Sequence, residues 1–122
     1  MSKSFVTITG DVSRALDAFR KDAPETMQGF SSMARAALKA GALSELDKEL
    51  IALAIAVSTR CDACVGFHVK ALIRLGVSRQ QLIETLEVCT YMGGGPSLMY
   101  AAEAIRAYDE FSATLRTPAV NA

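Results

Sequence analysis

Apolar stretches separated by capping residues, glycines and prolines divide the chain into about six helical segments. Asp11 offers an N-cap for the first, which then runs to about Asp22. Pro24 suits the first turn of a second helix ending near Gly41. Ser44-Glu45-Leu46-Asp47 has the character of a capping box and opens a third helix over about residues 45–58. The polar break Ser58-Thr59-Arg60 precedes a fourth, running from about Cys61 to Leu75, with Gly76 as its stop. Ser78-Arg79-Gln80-Gln81 is a second capping box and opens a fifth helix to about Met92. Gly93-Gly94-Gly95-Pro96 reads as a tight turn before a last helix over about 97–113. Residues 5–9 alternate as a strand would but are too few to matter, and Thr117–Ala122 reads as a frayed tail. The expected fold class is therefore all-α, in one domain over residues 1–122.

Two of these helices carry more apolar surface than a small bundle hides. Leu50 to Val57 is apolar on every side, and the last helix presents Leu98, Met99, Ala101, Ala102, Ala104 and Ile105 with few charges between. A chain of 122 residues can bury about two thirds of its unfolded surface, enough for a core without disulfides but not for these faces as well. A closed homo-oligomer, trimer or hexamer before dimer, is the expected solution, with any reactive cleft near a subunit interface.

Charge narrows the partners. Thirteen basic and thirteen acidic side chains cancel overall, and to within one charge in each half of the chain. No basic stripe exists to neutralise phosphates, so nucleic acid is not expected as a partner. The longest apolar run is far short of the ~20 residues a membrane span needs, and Met1-Ser2-Lys3-Ser4-Phe5 lacks the apolar core of a secretion signal. The expectation is a soluble cytoplasmic protein without membrane attachment. In that reducing compartment three cysteines, two of them in C-x-x-C, point to redox chemistry or metal rather than a disulfide framework. The glycine triplet is no phosphate loop, because it lacks the Lys-Ser/Thr ending and follows no strand.

The chemistry concentrates in the fourth helix. At ~100° per residue, Cys61, Cys64 and His68 fall on one stripe with Val65, Leu72 and Leu75, while Lys70 and Arg74 lie opposite. The i, i+3 spacing lets the two sulfurs bond, and i, i+4 sets His68 beside Cys64. Cys61 is expected in the first turn, where the positive end of the helix dipole and free N–H groups stabilise a thiolate. Arg60 adds to that. Glu49, on the preceding helix, borders the face made by Leu46, Leu53 and Val57, a part-buried setting suited to proton transfer. A solvated first-turn carboxylate is the other reading of Glu49. A zinc site with His68 would have three ligands where structural zinc takes four, unless a neighbouring subunit completes it. Two inert core thiols and a plain core histidine are further readings. Cys89, on the Leu82/Leu86 face of the fifth helix, reads as a packed core thiol.

The pattern Glu49-x11-Cys61-x-x-Cys64-x3-His68 in an all-helical chain resembles the AhpD-like (alkylhydroperoxidase D-like) branch of the carboxymuconolactone decarboxylase family. The Leu-Gly-Val-Ser turn at 75–78 also looks like that family, and the resemblance covers about residues 25–112. It implies an AhpD-like helical bundle, an obligate oligomer and thiol-dependent reduction of a small-molecule hydroperoxide. Carried over, Cys64 is the peroxidatic thiol, Cys61 resolves it, and Glu49 with His68 relays protons. It also implies an external dithiol reductant, lipoyl-type or thioredoxin-like. No cofactor or metal is expected. One departure is Ala63, which stands where better-understood members carry a further histidine. The dipole argument favours Cys61 as the more acidic thiol, whereas the resemblance makes Cys64 the attacker. A redox sensor using the same pair, or a decarboxylase-like enzyme acting on a small organic substrate, are the alternative functions.

Overall fold

The structure, a computed structural model, describes residues 3–116. It is all-α: α1 (Phe5–Asp22), α2 (Pro24–Leu38), α3 (Glu45–Ser58), α4 (Asp62–Arg74), α5 (Arg79–Gly93) and α6 (Gly95–Arg116). The tail expected to fray, 117–122, lies outside the described residues.

One apolar core joins α3, α4, α5 and α6 to the start of α1. It includes Phe5, Leu53, Val57, Val65, Val69, Leu72, Leu82, Leu86, Ala104 and Phe111. α4 lies at its centre, packed against α1, α3 and α6. α2 buries no residue and touches only α1 and α3.

The first helix starts six residues before the Asp11 cap expected for it, and residues 5–9 are its opening turns. The cause is partly tertiary. Ser4 caps Thr7 N–H, while the Glu110 carboxylate of α6 accepts from Phe5 N–H at 2.7 Å and from the Ser4 hydroxyl at 2.5 Å. Phe5 and Thr9, one turn apart, then face the core. Burial opposes the charge on Glu110, but the donors on Ser4, Phe5 and Val6 outweigh it and hold its pKa below the ordinary carboxylate value.

Gly66 explains how closely α1 approaches α4. A Cβ there would lie 2.6 Å from Thr9 Cγ2 and 3.4 Å from Phe5 Cδ1. The remaining boundaries fall near those expected, with three differences. α2 stops at Leu38 rather than Gly41. Cys61 caps α4 instead of lying in its first turn. The glycine turn shrinks to Gly94 alone, at φ 71° and ψ −153°, and α6 begins at Gly95. That backbone conformation is open to glycine and strained for other residues.

Candidate active site

The site is built at the junction of α3 and α4. α3 ends in a Schellman motif, with Arg60 N–H bonded to Val57 C=O at 3.2 Å and Cys61 N–H to Ala56 C=O at 3.1 Å. Arg60 takes the left-handed position at φ 57°, usually given to glycine. The backbone of Cys61 thus closes α3. Its side chain opens α4, because Cys61 Sγ accepts the Cys64 N–H at 3.3 Å. A sulfur in that position receives both an N–H bond and the positive end of the helix dipole, as the sequence suggested.

Cys61 and Cys64 are disulfide-bonded, with Cα atoms 5.2 Å apart. The buried face of α4 is Val65, Gly66, Val69 and Leu72, so Cys64 and His68 lie at its margin, partly exposed. Lys70 and Arg74 point outward, as expected.

Glu49 comes to α4 from the start of α3. It is 4% exposed, and its Oε2 lies 2.7 Å from His68 Nδ1. The solvated reading of Glu49 therefore does not hold. An ionised Glu49 accepts from Nδ1–H, which leaves the Nε2 lone pair as the basic nitrogen of the imidazole. His68 is correspondingly not a plain core histidine: its side chain is 30% exposed and it lines a cleft.

That cleft, about 230 Å³, is lined by Ala52, Ile55, Ala56, Thr59, Cys64 and His68. Four of the six form one face of α3 and its C-cap Thr59, at spacings of three and four. Cys64 is in the wall and Cys61 is not. Cys64 and His68 thus share the wall of one cleft, and Glu49 holds the imidazole nitrogen Nδ1.

All four residues singled out from the sequence gather at this junction. Among the described residues no group of three or more His, Cys, Asp and Glu could hold a metal ion. Cys89 is buried on α5 with Leu82 and Leu86, and burial pushes its thiol pKa up, as befits a packed core thiol. The α3 face of the cleft was not expected from the sequence, although Ala52, Ile55, Ala56 and Thr59 stand at i, i+3, i+4 and i+7. Nor was a charged cluster at the start of α4, made by Lys3, Asp62 and Glu103, whose members lie far apart in sequence.

Known proteins match this chain over most of its length. The sequence model of the carboxymuconolactone decarboxylase family matches residues 24–107. An uncharacterised protein of Cupriavidus necator is 37% identical over 113 residues, covering 93% of this chain and all of that one. A crystal structure of an apo carboxymuconolactone decarboxylase family protein from Legionella pneumophila superposes with a TM-score of 0.89 at 55% identity. The match covers 91% of this chain and 99% of that one. A family protein of Thermotoga maritima shares the fold alone, with a TM-score of 0.78 at 23% identity over 93% and 94% of the two chains.

Proposed function

The chain belongs to the carboxymuconolactone decarboxylase family, and from that premise we propose that it is a thiol peroxidase of the alkylhydroperoxidase D-like kind. The observation that carries this reading is the shared cleft wall of Cys64 and His68, with Glu49 behind the imidazole. It favours Cys64 over Cys61 as the attacking thiol.

In this scheme His68 Nε2 takes the Cys64 proton, and Glu49 stabilises the imidazolium through Nδ1–H. The thiolate attacks the terminal oxygen of a hydroperoxide. The O–O bond breaks, Cys64 becomes a sulfenic acid, and the departing alkoxide takes the proton from His68 to leave as an alcohol. The Cys61 thiol then displaces the sulfenic hydroxyl as water, giving the Cys61–Cys64 disulfide. An external dithiol, lipoyl-type or thioredoxin-like, is oxidised to its own disulfide and returns the pair to thiols. Such regeneration suits a reducing cytoplasm.

The same reading includes assembly. Ile51, Ile55, Val88, Tyr91 and Met92 leave an apolar face open on α3 and α5, and Ile55, 58% exposed, also lines the cleft. This supports a homo-oligomer, trimer or hexamer, with the cleft beside a subunit interface.

The test is intact-mass spectrometry after one equivalent of an organic hydroperoxide, with steady-state turnover under excess dithiol. Cys64→Ser should abolish peroxide consumption, and Cys61→Ser should leave a trappable sulfenic acid on Cys64. Full turnover by Cys64→Ser would sink the assignment. Slow disulfide formation coupled to a change in assembly would point instead to a redox sensor.

A further inference from the structure

The first turn of α4 carries a second set of charges, beside the sulfur that caps it. Asp62 follows Cys61 directly and opens the helix. Its Oδ2 lies 3.3 Å from Lys3 Nζ, and the same ammonium lies 3.3 Å from Glu103 Oε2 on α6. Lys3 Nζ also stands 5.7 Å from the ring centroids of both Phe5 and Tyr100. Burial opposes its charge, but Glu103 and Asp62 outweigh that and raise its pKa above the usual lysine value. The Asp62 carboxylate pushes the Tyr100 phenol up as well. One ammonium from the start of the chain therefore bridges the redox helix and α6.

The position of Asp62 matters because of what reduction does. An external dithiol passes two electrons and two protons to the Cys61–Cys64 disulfide, leaving two thiols, and ionisation of one of them gives a thiolate. This places a new negative charge on the first turn of α4. The helix dipole favours that charge, a carboxylate on the adjacent residue opposes it, and an ammonium on the carboxylate offsets the opposition.

We propose that Asp62 and Lys3 are positioning residues of opposite sign that set the redox poise of the Cys61–Cys64 pair, Asp62 favouring the disulfide and Lys3 the dithiol. The proposal rests on the thiol cycle above in requiring that the pair be reducible and that one reduced sulfur ionise. The N-terminal segment thus acts on the sulfur chemistry through charge, in addition to anchoring α1.

Equilibrating the full chain with graded reduced and oxidised dithiothreitol at neutral pH, then alkylating and weighing it, gives the disulfide-to-dithiol equilibrium constant. Lys3→Met should shift it toward the disulfide and Asp62→Asn toward the dithiol. Each shift should be about threefold, the scale of partly exposed charge pairs. Lys3→Arg should keep the wild-type value, and 1 M salt should shrink both shifts. Shifts of the same sign in Lys3→Met and Asp62→Asn, or none in either, would overturn the proposal. A purely structural role predicts the former. If Asp62→Asn fails to fold, the contrast between Lys3→Met and Lys3→Arg decides alone. No peroxide is present, so failure of the peroxidase reading leaves this result unaffected.

Discussion

Gly66→Ala should destabilise the protein, and removing a single methyl group from another helix should reverse the sign of that effect. The added Cβ would sit 2.6 Å from Thr9 Cγ2, well inside contact distance. Thr9 cannot readily turn away. It is buried and β-branched, and its hydroxyl donates to Phe5 C=O at 2.8 Å. Overpacking of this kind costs about 1–3 kcal/mol. Against it stands the gain of about 0.5–1 kcal/mol when alanine replaces glycine inside a helix. The net loss is then about 0–2.5 kcal/mol, or a fall in Tm of up to roughly 10 °C for a domain of this size. Thr9→Ser deletes Cγ2 and keeps the hydroxyl, at a cost of about 0.8 kcal/mol for the lost methyl. In that background the helix gain is left nearly unopposed, and Gly66→Ala should raise Tm. The assay is thermal unfolding of the oxidised protein for the wild type, both single variants and the double, all at one protein concentration because assembly shifts Tm. The reasoning fails if Gly66→Ala is stabilising in the wild-type background, or if its effect is the same in both.

Three further outcomes follow from the geometry. Glu49→Gln can still accept from His68 Nδ1–H but loses the charge that stabilises the imidazolium. It should lower kcat/KM for a hydroperoxide about 10²-fold with little change in Tm; an unchanged pH–rate profile would remove Glu49 from the relay. Glu110→Gln should weaken the α1 cap by about 1 kcal/mol near neutral pH. The Glu110 pKa is lowered in the folded protein, so its contribution is full above the ordinary carboxylate value of 4.5 and disappears as pH falls through the lower folded-state value. A stability difference from wild type that persists in strong acid would contradict this. Light scattering at micromolar concentration should find a closed oligomer, and a well-behaved 13.0 kDa monomer would refute the assembly proposal.

The helix count and the site were legible because their signals are local. Ser44 and Ser78 cap the helices expected of them, and Gly76 ends the fourth, all from contacts within a few residues. Cys61, Cys64 and His68 share a helix, so spacing alone brought them together. Glu49 was harder, because its partnership depends on how α3 turns into α4. The start of α1 was not legible: its cap is completed by Glu110, more than a hundred residues away in sequence. Nor was the left-handed conformation of Arg60, since nothing about an arginine announces it. The apolar run Leu50–Val57 was expected to carry more apolar surface than one small bundle hides, and within one chain it buries Leu53, Ala56 and Val57 and leaves Ile51 and Ile55 open. The pattern records surfaces to be covered without saying by what.

The α3–α4 junction also fixes a phase. Cys61 closes one helix with its backbone and opens the next with its sulfur, so no slack separates the two ladders of hydrogen bonds. Each added residue would turn α4 by ~100° and advance it 1.5 Å relative to α3. Glu49 and His68, nineteen positions apart, meet at 2.7 Å only for one chain length between them. The gap between α2 and α3, residues 39–44, spans two helices that hardly touch and has no such constraint. Variation in length among working relatives should therefore collect before Glu45, while the interval from Glu49 to His68 behaves as a fixed gauge. A relative with one residue more in that interval would have to find a partner for its histidine elsewhere on α3.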